Sequence, residues 1–446
     1  MQNRFSNIKE AEDFLASVPQ FTGGSTGFSC GSERARLLLE QTGHPENALK
    51  IIHVAGSNGK GSVCALLDTA LQSAGLRTGF FSSPHLKDIR ERIRLSGGLI
   101  PEEVFVNKLN EVLWAEEMIS RKLPGFRAAY FEYFFIAALL YFKEKKADVV
   151  ILETGLGGRL DATNACDSPV LSIITPVSLE HTQVLGDTIT RIAGEKAGII
   201  KNRVPVVVTD TDKEALKIFK AHADHAESRL VVFEEKSVHV NKITDANVDF
   251  SLHNSYYRNV TVTLPIPALY EAKNAGLALT ALAVLAESEG LEGLVPGRFN
   301  RKLPKIIKDF GQFVWSGRME RIRPGVYVDG AHNTAGIRAF TESVAAFAQG
   351  KKNVLLFAVS DDKDKSGMIK DLCGSGLFSD IVVTAFSGLR SAQADETARL
   401  FRSLGATRVS ACGNVREAYE KACGIPHDYV FCAGSLYLAG EIAGVC

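Results

Sequence analysis

Short apolar runs alternate with amphipathic stretches along most of the chain. The apolar runs are five to seven residues long and rich in β-branched side chains. Such runs, separated by helical patterns, predict a mostly parallel sheet that is covered by helices on both faces. Helices are predicted at 62–73 and 131–143. The strand candidates are KIIHVAG (50–56), TGFFSS (78–83), ADVVILET (147–154), PVLSIIT (169–175) and VPVVVT (204–209).

The pattern changes between 229 and 264, where apolar and polar residues alternate as in VDFSLHNSYYRNVTVTL. Alternation of this kind predicts a small antiparallel hairpin region, and a long helix is predicted at 270–289. Near 311–315 the strand and helix pattern restarts and runs for about 130 residues, which is the size of a domain. We therefore predict two domains, 1–313 and 314–446. The second contains the strand candidates GVYVDGA, NVLLFAV, DIVVTAF and DYVFCAGS.

Composition narrows the class of protein. The chain has 446 residues, with 51 Lys+Arg and 51 Asp+Glu, so its formal net charge is zero. A neutral chain gives no basic field for nucleic acid or an anionic membrane. None of the eight cysteines forms a CxxC pair, which favours free thiols in a reducing compartment. The N-terminus lacks the apolar core of a signal peptide, and YFEYFFIAALLYF is too short to span a bilayer. We expect a soluble cytoplasmic protein that acts as a monomer.

The segment HVAGSNGKGSV (53–63) follows the first strand and precedes a helix, where a phosphate-binding loop would lie. It departs from the usual Gly-x4-Gly-Lys-Ser/Thr pattern, because Val54 replaces the first glycine and Gly61 replaces the hydroxyl residue. Its glycines still permit a turn whose N–H groups face an anion at a helix N-terminus. Lys60 could meet the β- and γ-phosphates. Ser62 could cap the helix, touch phosphate or help to position a metal. The alternative is a glycine-rich turn with a solvated lysine.

Two further strand ends carry candidate metal ligands. Ser83 follows the second strand, although a hydroxyl at this point could equally cap a turn. Glu153 ends a very apolar strand, and a buried carboxylate needs a partner or a metal. The following GLGGR is no dinucleotide fingerprint, because Leu160 stands where the third glycine belongs; it is typical of a flexible loop. Arg159 and Asp161 could pair with each other or reach a substrate.

Four residues in later segments could bear chemistry. His181 follows the fourth strand and could share a sheet edge with Glu153. Lys196 lies among small residues in AGEKAGI, so it could be a shielded cation or chemically modified. Asp329 and His332 follow the first strand of the second domain and could serve a nucleotide or substrate across a cleft. The alternative for DGAHN is a turn with a helix cap.

These segments, taken in order, resemble the Mur ligase family and, within it, the folylpolyglutamate synthase/dihydrofolate synthase branch. The resemblance runs from about residue 27 to the C-terminus, and six motifs in one order are far more specific than any single motif. The motifs are HVAGSNGKGS, SSPHL with RERIR, ETGLGGRLDATN, EHTQVLGDTITRIAGEKAGIIK, GRMERI with VDGAHN, and GSLYL.

The resemblance implies an α/β fold: an ATP-binding domain of the phosphate-loop type over 1–313 and a Rossmann-like glutamate-ligase domain over 314–446. It also implies an ATP- and Mg²⁺-dependent amide ligase. A substrate carboxylate attacks the γ-phosphate of ATP, and L-glutamate then attacks the acyl phosphate. Phosphoryl transfer of this kind depends on positioning and charge neutralisation. The small-molecule partners would be L-glutamate and either a folate or dihydropteroate.

Site residues follow from the resemblance by motif position. The catalytic residues would be Lys60, Lys196 (at the position that is carbamylated in the family) and His332, the last near the nucleotide and the glutamate. ATP would be held by Asn58, Gly59, Lys60, Gly61, Ser62, Asn274, Arg318 and Asp329. Mg²⁺ would be held by Ser83, Glu153 and His181, and the pterin and glutamate by Gly31, Phe131, Asp161 and Ser435.

Several positions depart from the family pattern without removing a proposed ligand. Ser57 stands where Thr is more frequent, Thr334 replaces the proline of DGAHNP, and Asp361-Asp362 add acidity. The N-terminal CGSERARLLL is a loose match to the pterin segment. Two other functions remain open: a Mur-type ligase for another acid, which Gly61 after the lysine argues against, and a nucleotide-dependent switch. The sequence leaves open whether the acceptor is dihydropteroate, a folate or both.

Overall fold

The structure, a computed structural model, describes residues 4–19, 30–210, 212–288, 291, 294–388 and 390–445. By its internal packing the chain divides into two compact units. The first combines Met1–Ser237 with Asn274–Asp309, and the second combines Val238–Lys273 with Phe310–Cys446. The domain limits 1–313 and 314–446 stay a prediction. The hairpin stretch that was assigned to the first domain groups by packing with the C-terminal part of the chain.

One large sheet forms the centre of the first unit. Its strands are β1 (Ile51–Ala55), β2 (Thr78–Phe81), β3 (Ile93–Leu95), β4 (Gly98–Leu99), β5 (Val149–Glu153), β6 (Leu171–Ile174), β7 (Val206–Thr209) and β8 (Leu230–Phe233). The spatial order is β4-β3-β2-β5-β1-β6-β7-β8. From β2 to β8 all neighbours are parallel, and β3 runs antiparallel to β2 and β4. The loops that follow β2, β5, β1 and β6 therefore leave the sheet at the same edge.

Helices cover this sheet because its central strands are buried on both faces. The phosphate-loop helix follows β1, and the apolar segment YFEYFFIAALLYFKE forms the helix before β5. The described helices up to residue 310 are α1 (Ile8–Ser17), α2 (Gly31–Gln41), α3 (Lys60–Ser73), α4 (Glu102–Lys122), α5 (Tyr130–Glu144), α6 (Thr182–Leu185), α7 (Ile189–Ala197), α8 (Lys213–His225), α9 (Leu269–Glu287) and α10 (Pro296–Phe310).

The second unit contains two sheets. Strands β9 (Val238–Ile243), β10 (Val248–Leu252) and β11 (Val260–Leu264) form an antiparallel sheet in the order β11-β10-β9. Strands β12 (Glu320–Arg323), β13 (Val326–Val328), β14 (Asn353–Phe357), β15 (Phe378–Val383), β16 (Val409–Ala411) and β17 (Tyr429–Ala433) form the other, in the order β12-β13-β17-β14-β15-β16. Only β12 is antiparallel there. Its helices are α11 (Thr334–Ala348), α12 (Lys365–Ser375), α13 (Ala394–Ser403), α14 (Val415–Gly424) and α15 (Leu436–Val445).

The predicted fold class is confirmed: two α/β units with an antiparallel subregion. One boundary was wrong, because the antiparallel region begins at Val238 rather than at 229. Residues 230–233 form β8, which extends the parallel sheet beside β7. Their unbroken apolar run, LVVF, fits a parallel strand better than an alternating one. Among the described residues, no helix is both long enough and apolar enough to cross a membrane.

The packing of α5 on β2 predicts the effect of one small substitution. A Cβ atom on Gly79 would lie 2.7 Å from the ring of Phe142, which is fully buried. Gly79→Ala should therefore lower the free energy of unfolding by about 1–3 kcal/mol through overpacking, measured by denaturant unfolding. Gly98→Ala in the exposed strand β4 is the control, because its nearest neighbour would be 3.6 Å away. Equal stability of the two variants would contradict this packing.

Candidate active site

The phosphate loop is held in place by the segment that follows β6. Gly56 has a φ of +148°, and a Cβ atom there would lie 1.8 Å from Oγ1 of Thr175. The backbone N–H groups of Ser57 and Asn58 donate to the carbonyl oxygen of Pro176, at 3.0 and 3.3 Å. The loop thus has a fixed shape that only glycine permits at its first position.

Helix α3 begins directly at Lys60, with Gly61 and Ser62 buried in its first turn. The ammonium of Lys60 donates to the carbonyl oxygens of Gly56, at 2.9 Å, and Ser57, at 3.3 Å. The side chain of Lys60 therefore folds back so that its ammonium lies against the loop that precedes it. A cation above a ring of backbone groups at a helix N-terminus is the arrangement that binds a polyphosphate.

Asn274 lies beside the phosphate loop, although 214 residues separate it from Lys60 in the sequence. A Cβ atom on Gly59, whose φ is +85°, would lie 2.6 Å from Oδ1 of Asn274. Both residues belong to the first unit. The structure thus brings the predicted adenine-side residue to the predicted phosphate-binding residues.

The metal candidates follow adjacent strands of the sheet. Glu153 is buried at the end of β5, and its Oε2 accepts the backbone N–H of Ser83 at 3.1 Å. His181 is exposed and stands in the left-handed conformation before α6, in the segment that also carries Pro176. Among the described residues, no three His, Cys, Asp or Glu side chains are close enough to hold a metal ion. Such a sparse set fits Mg²⁺, which keeps several waters and binds one or two carboxylates together with substrate phosphates.

A buried ion pair joins the phosphate loop to α7. The ammonium of Lys196, 1 % exposed, donates to Oε1 of Glu180 at 2.7 Å and to the carbonyl oxygen of Gly56 at 2.8 Å. Burial lowers the pKa of Lys196 to about 8, although Glu180 opposes this shift. Burial alone would raise the pKa of Glu180, yet the charges of Lys196 and Lys60 hold it at about 2. Sequence reasoning missed Glu180, whose only signal was its place beside His181 in the EHT segment.

The three residues predicted to bind the pterin lie together around the loop after β5. A Cβ atom on Gly155 would lie 2.9 Å from the ring of Phe131 and 3.2 Å from Asp161. A Cβ atom on Gly31 would lie 3.2 Å from the backbone of Leu160 and of Ala162. The ring of Phe131 is half-buried, so part of this aromatic side chain is accessible beside the loop.

Asp161 organises this loop from within. Its Oδ2 accepts the N–H groups of Gly155, at 3.0 Å, and Leu156, at 2.8 Å. Its Oδ1 accepts the N–H and the hydroxyl of Thr163, at 3.0 and 2.6 Å. Burial raises the pKa of Asp161, while these donors lower it. The expected alternative, a pair between Asp161 and Arg159, does not form; Arg159 bonds Glu195 at 2.8 Å.

The glycines of GLGGR serve close packing. A Cβ atom on Gly158 would lie 2.7 Å from the carbonyl oxygen of Glu195 and 3.1 Å from Cα of Lys196. A Cβ atom on Gly198 would lie 2.4 Å from Cβ of Arg159. The loop after β5 is therefore pressed against the C-terminal end of α7, and the expectation of a flexible loop was wrong.

In the second unit, Asp329 fixes the segment that carries Arg318. Its carboxylate accepts the N–H of Ala331 on Oδ1 and that of Met319 on Oδ2, both at 2.8 Å, and the hydroxyl of Tyr270. Burial raises the pKa of Tyr270 well above its usual value, and the charge of Asp329 adds to this. Sequence reasoning missed Tyr270, because nothing in the sequence indicates a partner 59 residues away.

The other candidates of the second unit follow β13 and β17. The ring of His332 donates from Nδ1 to the carbonyl oxygen of Gly330 at 2.7 Å. Ser435 is buried and accepts the N–H of Tyr437 at 3.1 Å. The hydroxyl of Thr334 donates to Asp364, which caps α12, at 3.2 Å. Thr334 thus links the start of α11 to the start of α12.

Comparisons with known proteins identify the family of the chain. Residues 127–282 match the Mur ligase middle domain, and residues 317–436 match the Mur ligase glutamate ligase domain. A dihydrofolate synthase/folylpolyglutamate synthase of Bacillus subtilis is 33% identical over 356 residues, which cover 78% of this chain and 79% of that protein.

Solved structures match over the full length. Escherichia coli FolC, in complex with DHPP and ADP, has a TM-score of 0.81 at 27% identity, covering 100% of this chain and 99% of that one. A bifunctional folylpolyglutamate synthase/dihydrofolate synthase from Yersinia pestis, complexed with AMPPNP and Mn ion, has a TM-score of 0.79 at 26% identity and the same coverage. This chain therefore shares its fold, and the order of its helices and strands, with these two proteins.

The geometry of Gly59 predicts how nucleotide affinity responds to a single methyl group. Gly59→Ala should weaken ADP binding at least about tenfold, because the new Cβ would displace Asn274 and strain a left-handed turn. Gly75→Ala is the matched control: Gly75 has a φ of +84° at the other end of α3 and no atom within 4 Å of its Cβ position. Isothermal titration with ADP measures the difference. Equal affinities for the two variants would show that Gly59 and Asn274 do not form the nucleotide site.

Proposed function

Because this chain belongs to the Mur ligase family, in its folylpolyglutamate synthase/dihydrofolate synthase branch, we propose that it joins L-glutamate to a folate or to dihydropteroate. It is an ATP-dependent ligase. The observation that carries this function is the edge of the large sheet, where the phosphate loop, Ser83, Glu153 and the loop of Asp161 follow three neighbouring strands. A nucleotide site and a substrate site thus share one edge.

The reaction proceeds in two steps. The carboxylate oxygen of the folate or dihydropteroate attacks the γ-phosphorus of ATP, the bond to the β-phosphate oxygen breaks, and an acyl phosphate and ADP result. The amine of L-glutamate then attacks the acyl carbon, loses a proton, and expels inorganic phosphate. Within the first step, Lys60 exchanges its loop carbonyls for phosphate oxygens, and the N–H groups of the first turn of α3 orient the chain of phosphates.

The chemistry of the site fits a divalent cation. When bound, Mg²⁺ neutralises charge on the β- and γ-phosphates. Ser83 and Glu153 would hold it, and their contact at 3.1 Å already joins the two strand ends. His181 would hold a second ion, since its segment bonds the phosphate loop. In the second unit, Arg318 and Asp329 would contact ATP, while His332 and Ser435 would serve the glutamate.

The substrate loop supports an aromatic acid as acceptor. The half-buried ring of Phe131 lies beside Gly155, and Gly31, the first residue of α2, lies against the loop that carries Asp161. A flat pterin can stack on such a ring while its edge meets backbone groups. We expect a reducing, cytoplasmic location, since no disulfide joins the cysteines of residues 30–432, and a monomeric enzyme.

A substrate matrix tests the proposed function. ADP formation is measured with ATP and Mg²⁺ in the presence of tetrahydrofolate or dihydropteroate, each with and without L-glutamate. We expect sustained turnover only when an acceptor and L-glutamate are both present, with a product heavier by one glutamyl residue. Turnover that ignores both additions would indicate a nucleotide-dependent switch instead. The ratio of the two acceptor rates decides between folate and dihydropteroate.

We further propose that the neutral amine of Lys196 forms a bond to the carbon of CO₂ and releases a proton, and that the resulting carbamate anion supports the metal site. The lowered pKa of Lys196, about 8, leaves part of the amine neutral at physiological pH, as reaction with CO₂ requires. Lys196→Ala should lose most turnover. In CO₂-free buffer, where Lys196 is unmodified, the variant should also lose about 3–5 kcal/mol of stability because Glu180 is left as an unpaired buried charge. Adding Glu180→Gln removes that charge.

The double variant separates the two effects. Lys196→Ala with Glu180→Gln should recover the melting temperature of the wild type but not its turnover. A ¹³C carbamate signal from the wild-type protein in labelled bicarbonate, absent from Lys196→Ala, identifies the modification directly. Full turnover by the double variant would remove Lys196 from the mechanism.

A further inference from the structure

A histidine occupies the middle of the large sheet. His53 lies in β1 between Leu152 of β5 and Ser172 of β6, and it is 0% exposed. The other residues of β1 are Ile and Val with one Ala. Burial, with a smaller effect from Lys201, lowers the pKa of His53 to about 3, so the ring is neutral. An imidazole in such a core costs stability unless a hydrogen bond compensates for its burial.

Its hydrogen bond has a defined direction. Nε2 of His53 lies 2.8 Å from Oγ1 of Thr163, which in turn lies 2.6 Å from Oδ1 of Asp161. Four donors point at the carboxylate of Asp161, so it accepts and the hydroxyl of Thr163 donates to it. A hydroxyl has one hydrogen. The bond between His53 and Thr163 must therefore use the hydrogen on Nε2, which makes the ring a donor to Thr163.

The other ring nitrogen of His53, Nδ1, makes no comparable hydrogen bond among the described residues. Nδ1 of His53 is buried and has no hydrogen-bond partner within the part of the chain that the structure describes. An apolar side chain would fill the same space without leaving an unsatisfied acceptor. The single bond to Thr163 is thus what a histidine adds at this position.

This bond connects two loops of the site through one strand. β1 ends at the phosphate loop, and the side chain of His53, three residues before Gly56, holds the turn 162–165 that fixes Asp161. Asp161 in turn shapes the backbone at Gly155 and Leu156, against which Phe131 lies.

We propose that His53 is a positioning residue that, by donating to Thr163, aligns the acceptor-binding loop with the phosphate loop. The reacting carboxylate of the acceptor is thereby held in position to attack the γ-phosphate. This inference rests on the proposed function, because it assigns the acceptor to the loop of Asp161. The phosphate loop itself is tied to Thr175 and Pro176, so loss of the bond should not reach the nucleotide.

Four variants and one double variant test the proposal. His53→Met removes the donor, and His53→Gln keeps an N–H near the position of Nε2. Thr163→Val removes the hydroxyl, and Thr163→Ser keeps it. We expect His53→Met and Thr163→Val to raise the KM for the acceptor by about tenfold. The KM for ATP should change less than about twofold. The two conservative variants should stay near the wild type, and His53→Met with Thr163→Val should be no worse than the worse single variant.

Hydrogen exchange gives a readout that does not depend on activity. The amides of residues 154–165 should exchange faster in His53→Met than in the wild type, while His53→Gln should match the wild type. The role of His53 would be overturned if His53→Met and His53→Gln had equal effects. It would also be overturned if the KM values for the acceptor and for ATP rose together, or if the losses of the two single variants added up in the double variant. If the wild type shows no acceptor- and glutamate-dependent turnover, the proposed function fails, and the exchange data alone decide the coupling.

Discussion

Everything at this site depends on the parallel order β2-β5-β1-β6. Parallel strands end at the same edge, so four loops that are far apart in the sequence must meet there. No loop has to fold over the sheet to reach its partner. The buried strands provide the rigidity, and the polar residues stand at the strand ends or in the loops that follow them. Placement by strand ends allows a chain of zero net charge to concentrate phosphate-binding groups in one place.

Much of this edge can be predicted from the sequence, because short stretches of consecutive residues carry the signals. An apolar run followed by glycines, a lysine and a helix identifies the phosphate loop, and a carboxylate that ends a strand identifies Glu153. Distances between side chains have no such local signal. Glu180 was visible only as a neighbour of His181, and its bond to Lys196 follows from the way α7 returns to β1. β8 was misassigned because its short apolar run directly precedes an alternating one.

The glycines of GLGGR also show that a local sequence pattern does not reveal packing against distant residues. Those of GLGGR were taken for flexibility, since composition alone cannot distinguish a mobile loop from a crowded one. The structure shows crowding: at Gly158 and at Gly198, the backbone and side chains of the facing segment occupy the space of a Cβ atom. In the second unit, a fully bonded carboxylate at Asp329 shapes the segment of Arg318. In each unit, the proposed contacts to ligands depend on packing and hydrogen bonds that link one motif to another.

The hydroxyl of Ser57 both donates to the carbonyl oxygen of Ser178, at 3.1 Å, and accepts its N–H, at 3.0 Å. A side chain thus takes the place of a peptide group in a short two-bond ladder. Only serine and threonine offer a donor and an acceptor on one short-chain atom. Of the other side chains, only threonine could replace this serine and keep both bonds. A design library for this loop should therefore vary other positions.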